Sequence, residues 1–188
     1  MNNINTENSI GFGAYVMLKA NGTLKLIQDI QVGETVLSLN IPKTDADWQS
    51  FTTGSVSGIE TIENTVIRLR SAKINDYYIL SCVWNIDNES TQIQATPNHC
   101  FFIKRDNIWC WKKASELLVN DELLSFRNGL LCERILTSTR HIEGLEDCRL
   151  NGENHHPESS THVISLTTNN NNSCIVNYCY NSLHYLTS

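Results

Sequence analysis

Apolar positions in this chain come in short runs separated by turn residues. From Ala14 onward the runs cover residues 15–18, 24–30, 35–39, 60–69, 77–84, 92–103, 108–111, 123–126, 130–136, 162–166 and 174–178. Most are rich in β-branched or aromatic residues, and several alternate with polar ones, which is the signature of strands. Asn21-Gly22 and Asn128-Gly129 lie between apolar runs and predict tight hairpins, because this dipeptide readily adopts the backbone such turns need. Pro97-Asn98 predicts a turn that splits the 92–103 run into two strands. A single helical turn fits 113–118, but no window carries the stripe of a long amphipathic helix. Many short strands at close spacing predict an all-β architecture. Three stretches break the pattern. Residues 1–13 read as a flexible leader ending in Gly11-Phe12-Gly13. Residues 138–161, charged and poor in apolar side chains, read as an exposed insertion loop. Residues 182–188 read as a short flanking tail.

Composition narrows the class. The chain has 188 residues, 40% of them hydrophobic, which suits one domain with a proper core over 14–181. No apolar run is long enough to span a membrane. Met1 to Asn8 has neither a basic nor an apolar region, so a secretory signal is not expected and a cytoplasmic location is. A net charge of −6 without a Lys/Arg cluster argues against nucleic acid as a partner. Seven cysteines, with no CxxC, point to free thiols in a reducing compartment.

The informative segment is Ala95-Thr96-Pro97-Asn98-His99-Cys100-Phe101-Phe102-Ile103. A threonine three residues before a histidine, at a turn between strands, sets a hydroxyl and an imidazole on one side. That pair suits holding a peptide bond and protonating its leaving nitrogen. Three further stretches accompany it. The first is the strand and turn from Tyr15 leading into Ile27-Gln28-Asp29-Ile30-Gln31-Val32-Gly33-Glu34-Thr35-Val36-Leu37-Ser38. The second is Trp111-Lys112-Lys113-Ala114-Ser115-Glu116-Leu117-Leu118-Val119-Asn120-Asp121. The third is Val163-Ile164-Ser165-Leu166, an Asn-rich turn, Cys174-Ile175-Val176-Asn177 and then Asn181-Ser182. In this order and spacing they resemble the Hint family of hedgehog C-terminal domains and inteins, and most closely a bacterial-intein-like domain. The resemblance covers about residues 14–182.

That resemblance implies a Hint fold and single-turnover autoprocessing. In the family a first-residue Cys, sometimes Ser, attacks the preceding carbonyl; the Thr and His hold and protonate the scissile amide; and a terminal Asn cyclises to release the C-terminal segment. Carried onto this chain, Thr96 and His99 are the amide-binding pair. The first-residue position falls on Ala14, so the acyl shift at Gly13–Ala14 is expected to be blocked, either because Ala replaced Cys or because the chain is a natural variant. The terminal Asn falls on Asn181, with Ser182 as the following nucleophile and Asn177 as the alternative. Two positions depart from the family: Tyr180 stands where a His is usual, and Ser165 where a late-strand Asp is usual. The implied partners are the flanking segments of its own precursor, with a ubiquitin-like module one candidate upstream, and the domain is expected to be a monomer without a required cofactor.

Other readings stand beside these. Asparagine is common, with 22 copies, so Asn181-Ser182 by itself signals only a turn. Cys82, Cys100, Cys110, Cys132 and Cys174 sit in apolar runs and read as small core residues. Cys148, His155, His156 and His162 in or beside the loop are either solvated or, with His99, candidate zinc ligands. Zinc there would act as an inhibitor or regulator. A domain of this kind without its nucleophile would alternatively serve as a binding or zinc-sensing module.

Overall fold

The computed structural model describes residues 9–41, 51–84, 87–143, 161–170, 173–176 and 179–182, with 180–182 by their backbone alone. Fifteen strands run through the described residues: β1 (Ile10–Gly11), β2 (Tyr15–Met17), β3 (Leu24–Leu26), β4 (Thr35–Leu39), β5 (Thr52–Thr53), β6 (Thr61–Ile74), β7 (Asp76–Trp84), β8 (Ser90–Ala95), β9 (Cys100–Arg105), β10 (Ile108–Lys113), β11 (Glu122–Arg127), β12 (Leu130–Glu143), β13 (Thr161–Thr168), β14 (Ser173–Val176) and β15 (Cys179–Ser182). Single 3₁₀ turns follow β3, at Ile27–Asp29, and β10, at Ala114–Glu116.

The strands pair antiparallel in the order β3-β2-β14-β15-β9-β11-β12-β7-β8-β1-β13-β6-β4, with β10 and β5 branching from β9. The sheet curls until its ends meet. Ser38 on β4 and Ser173 on β14 share a buried hydroxyl–hydroxyl hydrogen bond of 2.7 Å, and the Asn64 amide on β6 donates to the Ser173 carbonyl. Curling encloses apolar side chains on both faces of the central strands. In β9, Phe101 and Ile103 enter one core cluster with Leu80, Ile93 and Leu123, while Cys100 and Phe102 enter another with Trp109, Trp111 and Leu124. A strand buried on both faces has to read as a continuous apolar run, and Cys100 to Ile103 does.

Several expected features are realised and some are corrected. Thr35–Leu39 forms as read, and Asn128-Gly129 makes the β11–β12 hairpin with both residues at positive φ. The 113–118 turn is the 3₁₀ turn of Ala114–Glu116. The leader reading of 1–13 fails for its last five residues. Ser9 and Ile10 are buried, and β1 pairs with both β8 and β13. The 138–161 loop begins later than read, because β12 continues to Glu143 against β7; Thr161 already belongs to β13. The 24–30 run is a strand followed by a 3₁₀ turn. β1, β5 and β15 have no counterpart among the expected strands; each is too short or too polar to stand out in the sequence.

Candidate active site

Thr96 and His99 occupy the turn between β8 and β9. The His99 amide donates to the Thr96 carbonyl at 3.0 Å, closing the turn, and the His99 carbonyl accepts from Ala114 at 2.7 Å. Pro97 inside the turn has its carbonyl held by the Ser115 amide. The segment 111–121 therefore buttresses this turn from outside. Both Thr96 and His99 are buried, and the His99 ring meets the Phe101 ring edge-on at 5.1 Å.

The Thr96 hydroxyl accepts a hydrogen bond from the backbone amide of Ser9 at 3.0 Å, and the Thr96 amide donates to the Ser9 carbonyl, also at 3.0 Å. These two bonds bracket Ser9. Ile10 is registered against Ala95 on one side and Ile164 on the other. Extended by one residue, that register sets Ser9 between Thr96 and Ser165. Ser9, Thr96 and Ser165 are all buried.

This geometry sets Ser9, and not the expected junction residues Gly13 and Ala14, against Thr96. The Gly13 amide is held by the side-chain oxygen of Gln28, and the Ala14 carbonyl accepts from Ile27. Ala14 itself is a buried member of the apolar core. The physical reason is β1. Because Ile10–Gly11 is a strand, the chain passes the Thr96 turn at Ser9, before it reaches Gly13. Close packing enforces that path: a Cβ on Gly11 would fall 2.6 Å from the Cβ of Gln94 on β8. The Gly11-Phe12-Gly13 segment is accordingly built into the domain, with the Phe12 amide bonded to the His162 carbonyl. Sequence reasoning passed over Ser9. The available signal was a hydroxyl residue, a type the resemblance admits, directly before an apolar Ile10.

At the other end, Asn181 is registered against Cys174 of β14 and Phe101 of β9, and Ser182 against Ser173. Phe101 is thus a common neighbour: its ring meets His99, and its backbone faces Asn181. β14 also pairs with β2 through Val176 and Val16. β1 thus pairs with β8 and β15 with β9, the two strands that the Thr96 turn joins. Asn177 lies outside the described residues.

The expected metal ligands do not assemble among the described residues. Cys148, His155 and His156 lie outside them. His99 is fully buried, whereas His162 is exposed on β13 with its ring against Phe12, 5.2 Å between centroids. No group of three or more His, Cys, Asp or Glu among the described residues could hold a metal ion. Cys100 is a core thiol, pushed up to about 12 by burial. No helix among the described residues is long and apolar enough to cross a membrane.

Neither a family model nor a curated protein matches this sequence. Solved structures do match. A bacterial intein-like domain from Clostridium thermocellum is 15% identical with a TM-score of 0.60, over 93% of this chain and 97% of that one. The DnaB intein from Synechocystis sp. PCC 6803 is 16% identical with a TM-score of 0.63, over 93% and 96%. The TvoVMA intein is 13% identical with a TM-score of 0.59, over 92% and 96%. Identities this low speak to the fold alone, and the fold agrees along almost the whole length of each: this chain has the Hint fold of these intein structures.

Proposed function

We propose that this chain is an autoprocessing domain that cuts peptide bonds at its own ends, and that Ser9, not Ala14, starts the N-terminal step. The observation that carries this reading is the Thr96 hydroxyl on the Ser9 amide. A hydrogen bond to this N–H inside a buried turn fixes the position of the peptide nitrogen, so that it can receive a proton as the bond to it breaks, which is what an acyl shift requires of its leaving group.

In the N-terminal step the Ser9 hydroxyl oxygen bonds to the carbonyl carbon of residue 8. The bond from that carbon to the Ser9 nitrogen breaks, leaving an ester and a free Ser9 amine. The hydroxyl proton is removed and the departing nitrogen gains one; His99 is the group assigned to that transfer. Water then opens the ester and frees the segment before Ser9. At the other end the Asn181 side-chain nitrogen attacks its own carbonyl carbon. A succinimide forms, the bond to the Ser182 nitrogen breaks, and Ser182 gains a free amine. The partners are the flanking segments, and the domain acts on them as a monomer. Splicing replaces cleavage if a downstream nucleophile such as Ser182 intercepts the ester. The rival binding or zinc-sensing module has no ligand cluster among the described residues in its favour.

The test is intact mass over time with hydroxylamine, a nucleophile that opens esters. The expected result is loss of residues 1–8, faster in Ser9→Cys and absent in Ser9→Ala. Release of residues 1–13 from Ala14→Cys, with Ser9→Ala having no effect, would return the junction to Gly13–Ala14. Loss of 182–188 that disappears in Asn181→Ala tests the second step.

A further inference from the structure

β1 is the strand that leads from Ser9 into the domain, and it lies between β8 and β13. Ile10 faces Ala95 on β8 and Ile164 on β13, and Gly11 faces Val163. Extended by one residue, the same register sets Gly11 opposite Gln94. Neighbouring strands stand about 4.8 Å apart, so the two strands that flank β1 are about 10 Å from one another. A side-chain contact between them has to cross β1.

Such a contact is present. The Thr161 hydroxyl on β13 donates to the side-chain oxygen of Gln94 on β8 at 2.7 Å. Thr161 lies two residues from Val163 along a ladder without a bulge, so it shares the face of Val163, Gly11 and Gln94. Gln94 reaches it by lying over Gly11. A Cβ built on Gly11 would meet the Gln94 Cβ at 2.6 Å, its side-chain oxygen at 2.8 Å and its Cδ at 3.4 Å. Gly11 is not among the glycines at positive φ, so the backbone does not demand glycine here; the crossing side chain does. One residue on, the Phe12 amide donates to the His162 carbonyl at 2.9 Å.

We propose that Gln94 and Thr161 form a clasp across Gly11 that holds β1 in the sheet and so positions Ser9 against Thr96. The proposal rests on the reading of Ser9 as the residue that starts the N-terminal step. Both are positioning residues: they act through β1 and not on the reacting atoms. With only two residues, β1 makes few ladder bonds of its own, so one side-chain bond across it is a sizeable share of what keeps it seated. Opening of β1 draws the Ser9 amide off the Thr96 hydroxyl, and the clasp opposes that local opening.

Two readouts test this. Exchange of the residue 9 amide hydrogen is followed by NMR in full-length Ser9→Ala chains, which keep that amide and cannot begin the N-terminal step. Release of residues 1–8 by hydroxylamine is followed in chains that keep Ser9. In Thr161→Val and in Gln94→Met, exchange at residue 9 should speed up about tenfold, the scale of one lost hydrogen bond, and release should slow by a comparable factor. The double variant should be no worse than either single one, because both remove the same bond. Thr161→Ser keeps the hydroxyl and should keep the parent values. A brace for the whole fold would move the urea midpoint and the His99 amide along with residue 9, whereas the clasp leaves His99 unchanged. Unchanged exchange at residue 9 in both single variants overturns the clasp. So do losses that add in the double variant, or exchange at His99 that rises with residue 9. Faster exchange at residue 9 alone, in variants of a chain that releases nothing, supports the clasp and counts against Ser9 as the nucleophile.

Discussion

The turn around Thr96 and the thiol centre around Cys179 are both buried and polar, yet one is made almost within a single turn and the other from four separate strands. Around Thr96, the critical side chains stand three residues apart, and the turn's own backbone holds them. Ser9 and Ser165 come from far away, and the Ala114–Ser115 segment braces the turn from outside. Around Cys179, Ser125 on β11 lies 3.6 Å away through its hydroxyl, and Arg134 on β12 is buried with its guanidinium over the Trp84 ring; these residues are far apart in sequence and nothing local holds them in relation to one another. The groups also differ in kind. Apart from the His99 imidazole, the Thr96 centre consists of hydroxyls and backbone amides, which are inexpensive to bury once hydrogen-bonded. The Cys179 centre includes a guanidinium, whose burial is costly unless it is compensated. The proposed function accordingly assigns the first centre mainly to chemistry, and the second is assigned mainly to stability.

Breaking that contrast gives the largest expected effects. Thr96→Val keeps the shape of the side chain and removes the hydroxyl that holds the Ser9 amide. N-terminal release should fall at least about 10²-fold, the scale of a lost positioning or proton-transfer group. Stability should fall by only about 1–2 kcal/mol, the cost of one buried hydrogen bond. Arg134→Met should do the reverse. It removes a fully buried guanidinium that packs on the Trp84 ring, which should show as a drop in the urea midpoint, while release per folded molecule changes little. If Thr96→Val instead unfolds the chain, or Arg134→Met stops release in folded protein, the division of labour is wrong.

The same contrast explains what could be read from the sequence. The TxxH turn was legible because its information lies within four residues. The Asn128-Gly129 hairpin was legible because both residues take positive φ there, a conformation this dipeptide favours. Thr35–Leu39 was legible as a continuous β-prone run. By contrast, β1 is only Ile10–Gly11, and its burial comes from β8 and β13, far along the chain. Without β1, Ser9 looked like part of a leader, and the proposed junction before it went unconsidered. The outer parts of β6 and β12 are mostly exposed, so their apolar pattern fades although their ladders continue to β13 and β7. The Cys179 surroundings have no local signature at all; Cys82 and Cys132 read as core residues, and Cys179 itself drew no reading.

Gly11→Ala tests whether the reactive centre depends on β1. The added Cβ meets the Gln94 Cβ at 2.6 Å, and neither atom is the flexible end of a side chain. Overpacking of this kind costs about 1–3 kcal/mol. The strand has to move away from β8, carrying Ser9 off Thr96. Release should therefore fall further than the stability loss explains when the variant is assayed under conditions where it is folded. Gln94→Ala in the same chain removes the side-chain oxygen at 2.8 Å but not the Cβ, so it should restore only part of both. Full rescue by Gln94→Ala would mean the backbone of β1 was never displaced.

Glu34 supplies the exposed counterpart to both buried centres, and the smallest effect. Its carboxylate takes the Lys25 ammonium at 2.6 Å and the Gln31 amide at 2.8 Å, at the turn before β4. The hydrogen bond from Lys25, then that from Gln31, holds its carboxyl below the usual 4.5. A carboxyl lowered in the folded state favours folding above its unfolded value, and that contribution is lost as pH falls through the folded value. Because the pair is about one-third exposed, solvent screens it, and Glu34→Gln should cost no more than about 1 kcal/mol at neutral pH. Urea midpoints of the two proteins should converge as the pH is taken below the carboxylate range, and should also draw together in high salt. A gap that persisted in acid would assign the effect of Glu34 to packing of its side chain rather than to its charge. The rule that burial sets the size of a polar contribution in this fold would then need another basis at this turn.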